Sequence, residues 1–307
     1  MSDLLITGFA GMNNVQDKRR LKGPVVSRDR SQYPAECREI VNCDIADKLS
    51  ALRRSGRSLA LAGSPHSLWN TRDETQAYFV DGTFKRHFAG TPYTSASLRA
   101  LSAPSLPLSY TEINYLIACS NGVDLFLVEN GVASEFVFSS ATFKERVMAC
   151  HILAYFNRRL YVAVDNALYH TDADNIECLD ERDDPFVFPS RISMVLPVGK
   201  NGMYVSADKT YWLAGRGPDE FIPKEAYDIR AVEGTGLAID GALLAEQDFP
   251  IQSGPACIFT AEDGICVGND AGGVINLTSE TLGFTAQSRG ASIIRKQGDF
   301  NQYISWV

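Results

Sequence analysis

Side chains able to perform acid–base chemistry or to bind a metal are scattered along this chain of 307 residues. Only two of the four histidines, His151 and His170, flank the same pair of predicted strands, where their rings could meet. A histidine with satisfied hydrogen bonds inside a sheet is the more common role for such residues. The densest acidic run extends from Asp180 to Asp184, but a cation requires several oxygen ligands that converge on one point. We therefore interpret this run as a charged loop.

No short motif of an enzyme or of a nucleotide-binding protein occurs: there is no glycine-rich phosphate loop, no HExxH, no GxSxG and no EF-hand spacing. Aspartates recur in predicted turns, at Asp81, Asp165, Asp208 and Asp270. If these turns are equivalent, the carboxylates should form a ring at one rim, and two carboxylates about 5–10 Å apart could cleave a glycoside. A tight turn favours Asp or Asn in any protein, however. We predict that the chain is not an enzyme.

The seven cysteines contain no CxxC pair and show no spacing typical of zinc ligands. Four of them, Cys119, Cys150, Cys257 and Cys266, lie in apolar strand-like segments, where cysteine behaves as a small hydrophobic residue. We therefore predict reduced, structural thiols, and we predict that the protein requires no metal and no cofactor.

The elements that would position these turns are five repeats of a strand, a tight turn and a second strand rich in aromatic and β-branched residues. The repeats are residues 77–84, 125–132, 160–169, 203–213 and 265–275. Each turn contains Asp or Asn, which tolerate the positive φ that a two-residue hairpin requires. The first four repeats recur about every 35–50 residues, a period typical of propeller blades. The pattern therefore predicts an all-β fold, a β-propeller with five blades.

Six blades are the alternative, if the region from Phe221 to Phe249 supplies a further sheet. Segments such as Ile152 to Phe156 and Ile192 to Val198 are predicted to be outer strands of blades. Only two stretches are compatible with short helices, Ser140 to Met148 and Asp240 to Gln247, and neither is long enough for an α/β fold. The tryptophans are predicted to pack in the core or between blades: Trp69, Trp212 and Trp306.

Residues 1–60 are predicted to form an irregular N-terminal arm with the first strands, and residues 61–307 to form the propeller domain. Two basic clusters, Lys18–Lys22 and Arg53–Arg57, lie in or next to the arm, although the whole chain has a net charge of −8 and a pI of about 5.1. Binding of nucleic acid through phosphates requires a basic face. We predict no sequence-specific nucleic-acid binding, and interpret the clusters as solvated loop charge or as a patch that docks on an acidic partner.

Neither a membrane helix nor a secretory signal is visible in the sequence. No apolar run approaches the roughly 20 residues that a membrane helix needs, and the start of the chain lacks a basic segment followed by a long apolar one. We therefore predict no membrane span and synthesis in a cytoplasm.

Several segments, in their order along the chain, resemble a family of virion proteins of tailed bacteriophages that also occurs in proteobacterial prophages. The segments are residues 9–15, 20–21, 39–45, 52–56, 66–69, 79–82, 160–163, 188–195, 202–205 and 211–215. The chain departs from the family at Ser55, where Pro is usual, and at Cys43, where Val is usual. The resemblance implies a structural component of a phage particle, in the tail or at the head–tail junction, without a catalytic set of residues.

The first functional hypothesis is therefore a virion structural protein of the tail, made in the host cytoplasm. It would act in particle assembly and in host attachment or DNA delivery, as a hub, nozzle or baseplate-type subunit. It would form a cyclic homo-oligomer and contact other tail or head–tail proteins. The arm would dock on a neighbour through these candidate interaction residues: Met12, Asn13, Asn14, Lys18, Arg19, Arg20 and Lys22.

The alternative hypothesis is a β-propeller module at the tail tip that binds carbohydrate or cleaves glycans. Such a site requires exposed aromatic side chains with unpaired carboxylates at the mouth of the central channel. A ring subunit should instead expose apolar residues on its side and along the arm. The location of the exposed apolar residues therefore distinguishes the two hypotheses.

Overall fold

The computed structural model describes residues 9–12, 35–37, 43–45, 51–53, 63–88, 94–139, 150–179, 184–243, 254–297 and 300–307. The helices within these ranges are two 3-10 turns, Pro218–Glu220 and Gly241–Leu243. The second lies inside the predicted helical stretch that begins at Asp240. The other predicted stretch, Ser140 to Met148, lies outside the described residues.

Two short strand pairs precede the blades. β1 (Phe9–Met12) pairs in parallel with β2 (Ala35–Cys37), and β3 (Cys43–Ile45) pairs antiparallel with β4 (Ala51–Arg53). Each pair forms a sheet of its own.

Five four-stranded antiparallel sheets follow, each with its strands in sequence order. Blade 1 contains β5 (His66–Asn70), β6 (Ala77–Asp81), β7 (Thr83–Phe88) and β8 (Thr94–Ala100). Blade 2 contains β9 (Ser109–Ile113), β10 (Leu116–Ser120), β11 (Leu125–Glu129) and β12 (Val132–Glu135). Blade 3 contains β13 (Ile152–Phe156), β14 (Arg159–Val164), β15 (Ala167–His170) and β16 (Phe186–Val187). Blade 4 contains β17 (Met194–Pro197), β18 (Gly202–Ser206), β19 (Thr210–Ala214) and β20 (Ile222–Tyr227).

Blade 5 contains β21 (Leu237–Asp240), β22 (Pro255–Ala261), β23 (Gly264–Asn269) and β24 (Val274–Asn276). A final antiparallel pair, here called the terminal hairpin, consists of β25 (Ala291–Gln297) and β26 (Phe300–Trp306).

The first strands of neighbouring blades lie side by side and run in the same direction. The hydroxyl oxygens of Ser109 and Thr111 in β9 accept hydrogen bonds from the backbone N–H groups of Leu153 and Tyr155 in β13, both at 3.0 Å. These N–H groups point away from β14, so the hydroxyls satisfy donors that the ladder of blade 3 does not use. The fold is an all-β propeller, as predicted, and its five four-stranded sheets match the predicted number of blades.

The structure corrects two details of the predicted strand order. Ile152–Phe156 is the first and innermost strand of blade 3, not an outer one, and β17 within 192–198 is likewise innermost. The region that begins at Phe221 supplies no additional sheet among the described residues, because β20 is the fourth strand of blade 4 and β21 the first strand of blade 5. Residue composition does not show whether a strand is inner or outer. Inner strands also pack on neighbouring blades through both faces, so they too are rich in apolar residues.

The core lies between the blades, where second and third strands face the adjoining sheets. Residues Leu160–Ala163 of β14 are buried on both faces of the strand, which explains their continuous apolar run. Phe84 of blade 1 and Phe126 of blade 2 meet edge to face, with their ring centroids 5.0 Å apart. The predicted burial of the four strand cysteines as free thiols is confirmed: Cys119, Cys150, Cys257 and Cys266.

Because each blade is an antiparallel meander, its turns alternate between two ends of the propeller. The upper rim is the end where each first strand begins, and it also holds the turns between second and third strands. The lower rim holds the turns between first and second strands and between third and fourth strands. At the lower rim, the side-chain N–H of Asn157 in blade 3 donates to the backbone oxygens of Lys200 and Arg216 in blade 4.

Candidate interaction surface

The turn between the second and third strands carries an aspartate in every blade, at the upper rim: Asp81, Asp124, Asp165, Asp208 and Asp263. Three of the four aspartates predicted to form a ring therefore occupy equivalent turns. The fourth, Asp270, does not, because it lies between the third and fourth strands of blade 5, at the lower rim close to Gly199. The five sequence repeats therefore include two kinds of hairpin with similar sequences: one joins the second and third strands of a blade, and the other joins the third and fourth strands.

The first two carboxylates of the upper rim are engaged by groups within the propeller. The ammonium group of Lys85 lies 2.8 Å from Asp81, and its hydrogen bond lowers the pKa of that carboxyl. Burial would raise the pKa of Asp124, but hydrogen bonds from two backbone N–H groups and from Asn121 outweigh burial, and the pKa is lowered. The carboxylates of Asp81 and Asp124 therefore stabilise the loops next to them.

Two further carboxylates of this rim accept hydrogen bonds from tyrosines. The hydroxyl of Tyr211 donates to Asp208 at 3.0 Å, and that of Tyr227 donates to Asp263 at 2.5 Å. The second bond joins β20 of blade 4 to blade 5. These aspartates therefore stabilise turns and blade contacts, and they do not form a pair of free catalytic carboxylates.

The histidines at the ends of blade 3 do not meet, because they lie at opposite rims. At the upper rim, Nε2 of His151 donates to the backbone oxygen of Ile192 at 2.8 Å, and burial lowers the pKa of the ring. At the lower rim, the ring of His170 packs against those of Tyr161 and Phe186. Each is a histidine held within the sheet structure, as interpreted from the sequence.

Three successive connectors at the upper rim are joined by a charged ladder. The carboxylate of Glu233, which is largely buried, lies 3.8 Å from the guanidinium of Arg191 and 3.5 Å from that of Arg289. Arg191 precedes β17, Glu233 precedes β21 and Arg289 precedes β25. The ladder therefore ties together the starts of β17, β21 and β25.

The tryptophan prediction is confirmed at two positions and wrong at the third. Trp69 stacks on Tyr110 of the next blade with ring centroids 5.1 Å apart, and Trp212 is buried against Tyr204. Trp306, in contrast, is 79% exposed on the terminal hairpin. The strand pattern predicted β26 but not which face of it a neighbour covers.

The side of the propeller exposes apolar residues. Each fourth strand of blades 2 to 5 presents one β-branched residue to solvent, and we call this set the lateral surface: Val132, Val187, Ile222 and Ile275. Their exposed fractions are 67%, 68%, 62% and 39%. Sequence reasoning missed these residues. The available signal was an apolar residue in an otherwise polar strand, as in the segment from Ile222 to Glu225.

Of the seven predicted arm residues, only Met12 belongs to a described element, at the end of β1. The other six lie outside the described residues: Asn13, Asn14, Lys18, Arg19, Arg20 and Lys22. Within the described part of the chain, no group of three or more metal-binding side chains occurs, and no helix is long and apolar enough to cross a membrane.

No protein-family model and no curated protein matches the chain. Among solved structures, the WD40 β-propeller domain of Doa1 is 12% identical, with 66% of this chain and 64% of that chain covered and a TM-score of 0.42. The computationally designed Ika8 protein is 13% identical, with 76% and 66% covered and a TM-score of 0.43. A quinonprotein alcohol dehydrogenase-like protein from Bacteroides thetaiotaomicron is 13% identical, with 81% and 62% covered and a TM-score of 0.42. This chain thus spans less than two thirds of the length of each, and similarities this low carry no information on function.

Proposed function

We propose that this protein is a structural subunit of a tailed-phage particle, in the tail or at the head–tail junction, and that it assembles through the side of its propeller. The sequence segments that resemble tailed-phage virion proteins support the phage assignment, and the observation that carries the proposed mode of assembly is the lateral surface. Four exposed apolar residues lie on the outer strands of four consecutive blades. Apolar residues at such positions lose contact with water when neighbouring subunits pack side by side.

The distribution of aromatic and acidic residues supports a structural role over a carbohydrate site. Among the residues that the structure describes, the most exposed aromatic side chains are those of Tyr115 and Trp306. They lie at the lower and upper rims respectively, so they do not form one platform. Four aspartates in the upper turns already accept hydrogen bonds or ion pairs. A glycan-binding or glycan-cleaving site would need aromatic rings and free carboxylates together at one mouth.

The charge of the chain is compatible with a position beside the DNA path. A net charge of −8 repels phosphates, so a ring of such subunits would let DNA pass without gripping it. Contacts between the sides of successive subunits would be heterologous, and such contacts close into rings when the rotation between subunits divides a full turn.

The proposal is tested by placing charges on the lateral surface. We expect a Val132→Asp, Ile222→Asp variant to fold but to be absent from purified particles, because burial of an unpaired carboxylate in an interface is costly. The matched control is Thr94→Asp with Ala96→Asp, which adds two charges at exposed positions of β8, the fourth strand of blade 1, outside the lateral surface. Incorporation of the double variant at the wild-type level would refute assembly through this surface. Cryo-electron microscopy of the particle would then locate the chain directly.

A further inference from the structure

The terminal hairpin occupies the position of the first two strands of another blade. β25 follows a connector that carries Arg289, and this residue continues the ladder whose other members precede the first strands β17 and β21. The backbone N–H of Gly290 also donates to the backbone oxygen of Glu233 at 2.8 Å. By position along the chain and by these contacts, β25 is a first strand and β26 a second strand.

One face of the hairpin packs on blade 5 as one blade packs on the next. Tyr303 and Ser292 both donate their hydroxyl hydrogens to the backbone oxygen of Thr235, at 2.9 and 2.7 Å. Thr260 of β22 donates to the hydroxyl of Ser305 at 2.7 Å. Ile294 packs with Tyr303 against the buried apolar residues of blade 5. The side chains of Ser292, Ile294, Tyr303 and Ser305 on this face are therefore all engaged by blade 5.

On the opposite face, apolar residues lie toward the upper rim, whereas Arg295 and Gln302 lie nearer the hairpin turn, and no described strand pairs with the outer edge of β26. Cross-strand pairing places Ile293 beside Ile304 on this face, with Trp306 on the same side, and Ile293 is 50% exposed. Each blade has four strands, whereas the hairpin has two, and β26 pairs only with β25 among the described strands. An exposed strand edge beside an apolar face is a site for strand addition.

We propose that β3 and β4 of the same chain add to β26 and complete a sixth blade, as its third and fourth strands. They form an antiparallel pair outside the five blades, so that two plus two strands would give the four strands of a blade. This proposal is independent of the function proposed above. It also gives six blades, the alternative count predicted from the sequence, but with β3, β4 and the terminal hairpin as the sixth blade and not the region after Phe221.

The connection from β4 to β5 fits this placement. In every other blade the fourth strand ends at the upper rim and leads to the next first strand there, and β5 begins at the upper rim. Residues 54–65 would make this connection. These 12 residues are more than the 6 of the shortest connection between described blade strands, residues 188–193, and fewer than the 16 of the longest, residues 136–151. Completion of the blade would thus bring the two ends of the chain together and close the ring.

Amide hydrogen exchange of β26 tests the proposal. In the full chain we expect the outward-pointing amides of Phe300–Trp306 to be protected. In a chain that lacks residues 1–53 we expect them to exchange at least about tenfold faster, while blades 2 to 4 keep their protection. A chain that lacks only residues 10–33 is the matched control and should keep β26 protected. A synthetic peptide of residues 38–57 should restore protection to the truncated chain, and a scrambled peptide should not.

A second variant keeps the test decisive if the truncated chain fails to fold. Asp44→Pro with Leu52→Pro in the full chain removes one ladder donor from each short strand and should also expose β26. Gln16→Pro in the arm is its control. Unchanged exchange of β26 in the truncated chain or in the double proline variant would overturn the proposal. Loss of protection on dilution of the full chain would also overturn it, because a second copy would then cover the edge.

Discussion

Arg158 and Asp174 each adopt a left-handed backbone conformation, and each holds the other in place. Their φ angles are 72° and 62°. The backbone N–H of Asp174 donates to the backbone oxygen of Arg158 at 2.8 Å, and Nε of Arg158 donates to the carboxylate of Asp174 at 2.6 Å. This pair joins the first turn of blade 3 to the loop after β15, at the lower rim.

We predict that Arg158→Gly is more stable than Arg158→Ala by about 1 kcal/mol. Both variants lose the same guanidinium, and the ion pair is exposed, so its loss costs only about 0.2–1 kcal/mol. Alanine retains the left-handed penalty of roughly 1–2 kcal/mol, whereas glycine removes most of it. Chemical denaturation of the two variants measures the difference. Equal stabilities would mean that the loop relaxes out of the left-handed conformation.

We predict that Thr111→Val destabilises the propeller by about 1–3 kcal/mol, although the two side chains have similar shapes. The valine variant leaves the N–H of Tyr155 without its acceptor at the boundary of two inner strands. Thr111→Ser is the control, because it retains the hydroxyl. Denaturant unfolding of the three proteins provides the comparison. If valine and serine variants unfold at the same denaturant concentration, the hydroxyl does not carry the contact between blades 2 and 3.

Much of the fold could be predicted from local sequence, because a hairpin is specified within about ten residues. Asn130-Gly131, both with positive φ, and Asp165 show the turn chemistry that the pattern predicted. Whether a strand is the first, second, third or fourth of its blade was not predictable, because this position depends on the neighbouring sheets. Asp270 was placed at the wrong rim for this reason. The exposure of Ile222 was missed although its polar neighbours gave a signal, because inner and outer strands differ mainly in their environment and not in local propensity.

We predict that His151 makes stability fall as the pH decreases through the weakly acidic range. Burial lowers the pKa of His151 in the folded protein from its ordinary value of 6.5. The unfolded chain therefore takes up the proton more readily, so the contribution is complete above about pH 7 and decreases below about pH 6.5. His151→Gln keeps a side-chain N–H donor for Ile192 and does not titrate. Melting temperatures measured from pH 7.5 to 5.0 should decrease more for the wild type than for the variant. Parallel profiles would contradict the prediction.

The arm residues from Asn13 to Lys22 lie outside the described part of the chain. Deletion of residues 10–33 removes three of the four residues of β1 and the basic cluster Lys18–Lys22 but leaves β3 and β4 intact. Among the described strands, β1 pairs only with β2, so its loss breaks no ladder of the five blades. We therefore expect the melting temperature of the isolated protein to change by less than about 3 °C.

Incorporation into particles should nevertheless be impaired by the same deletion. A basic segment with few large apolar residues cannot order itself through a core of its own, and the contact with an acidic neighbour would offset the cost of ordering it. Replacement of Lys18, Arg19, Arg20 and Lys22 by Ala removes the positive charge of the arm but keeps its length. This variant should impair incorporation as the deletion does. Immunoblots of purified particles measure this effect against the melting temperature of the free protein. If the deletion unfolds the isolated protein, the arm belongs to the fold, and its assembly role is wrong.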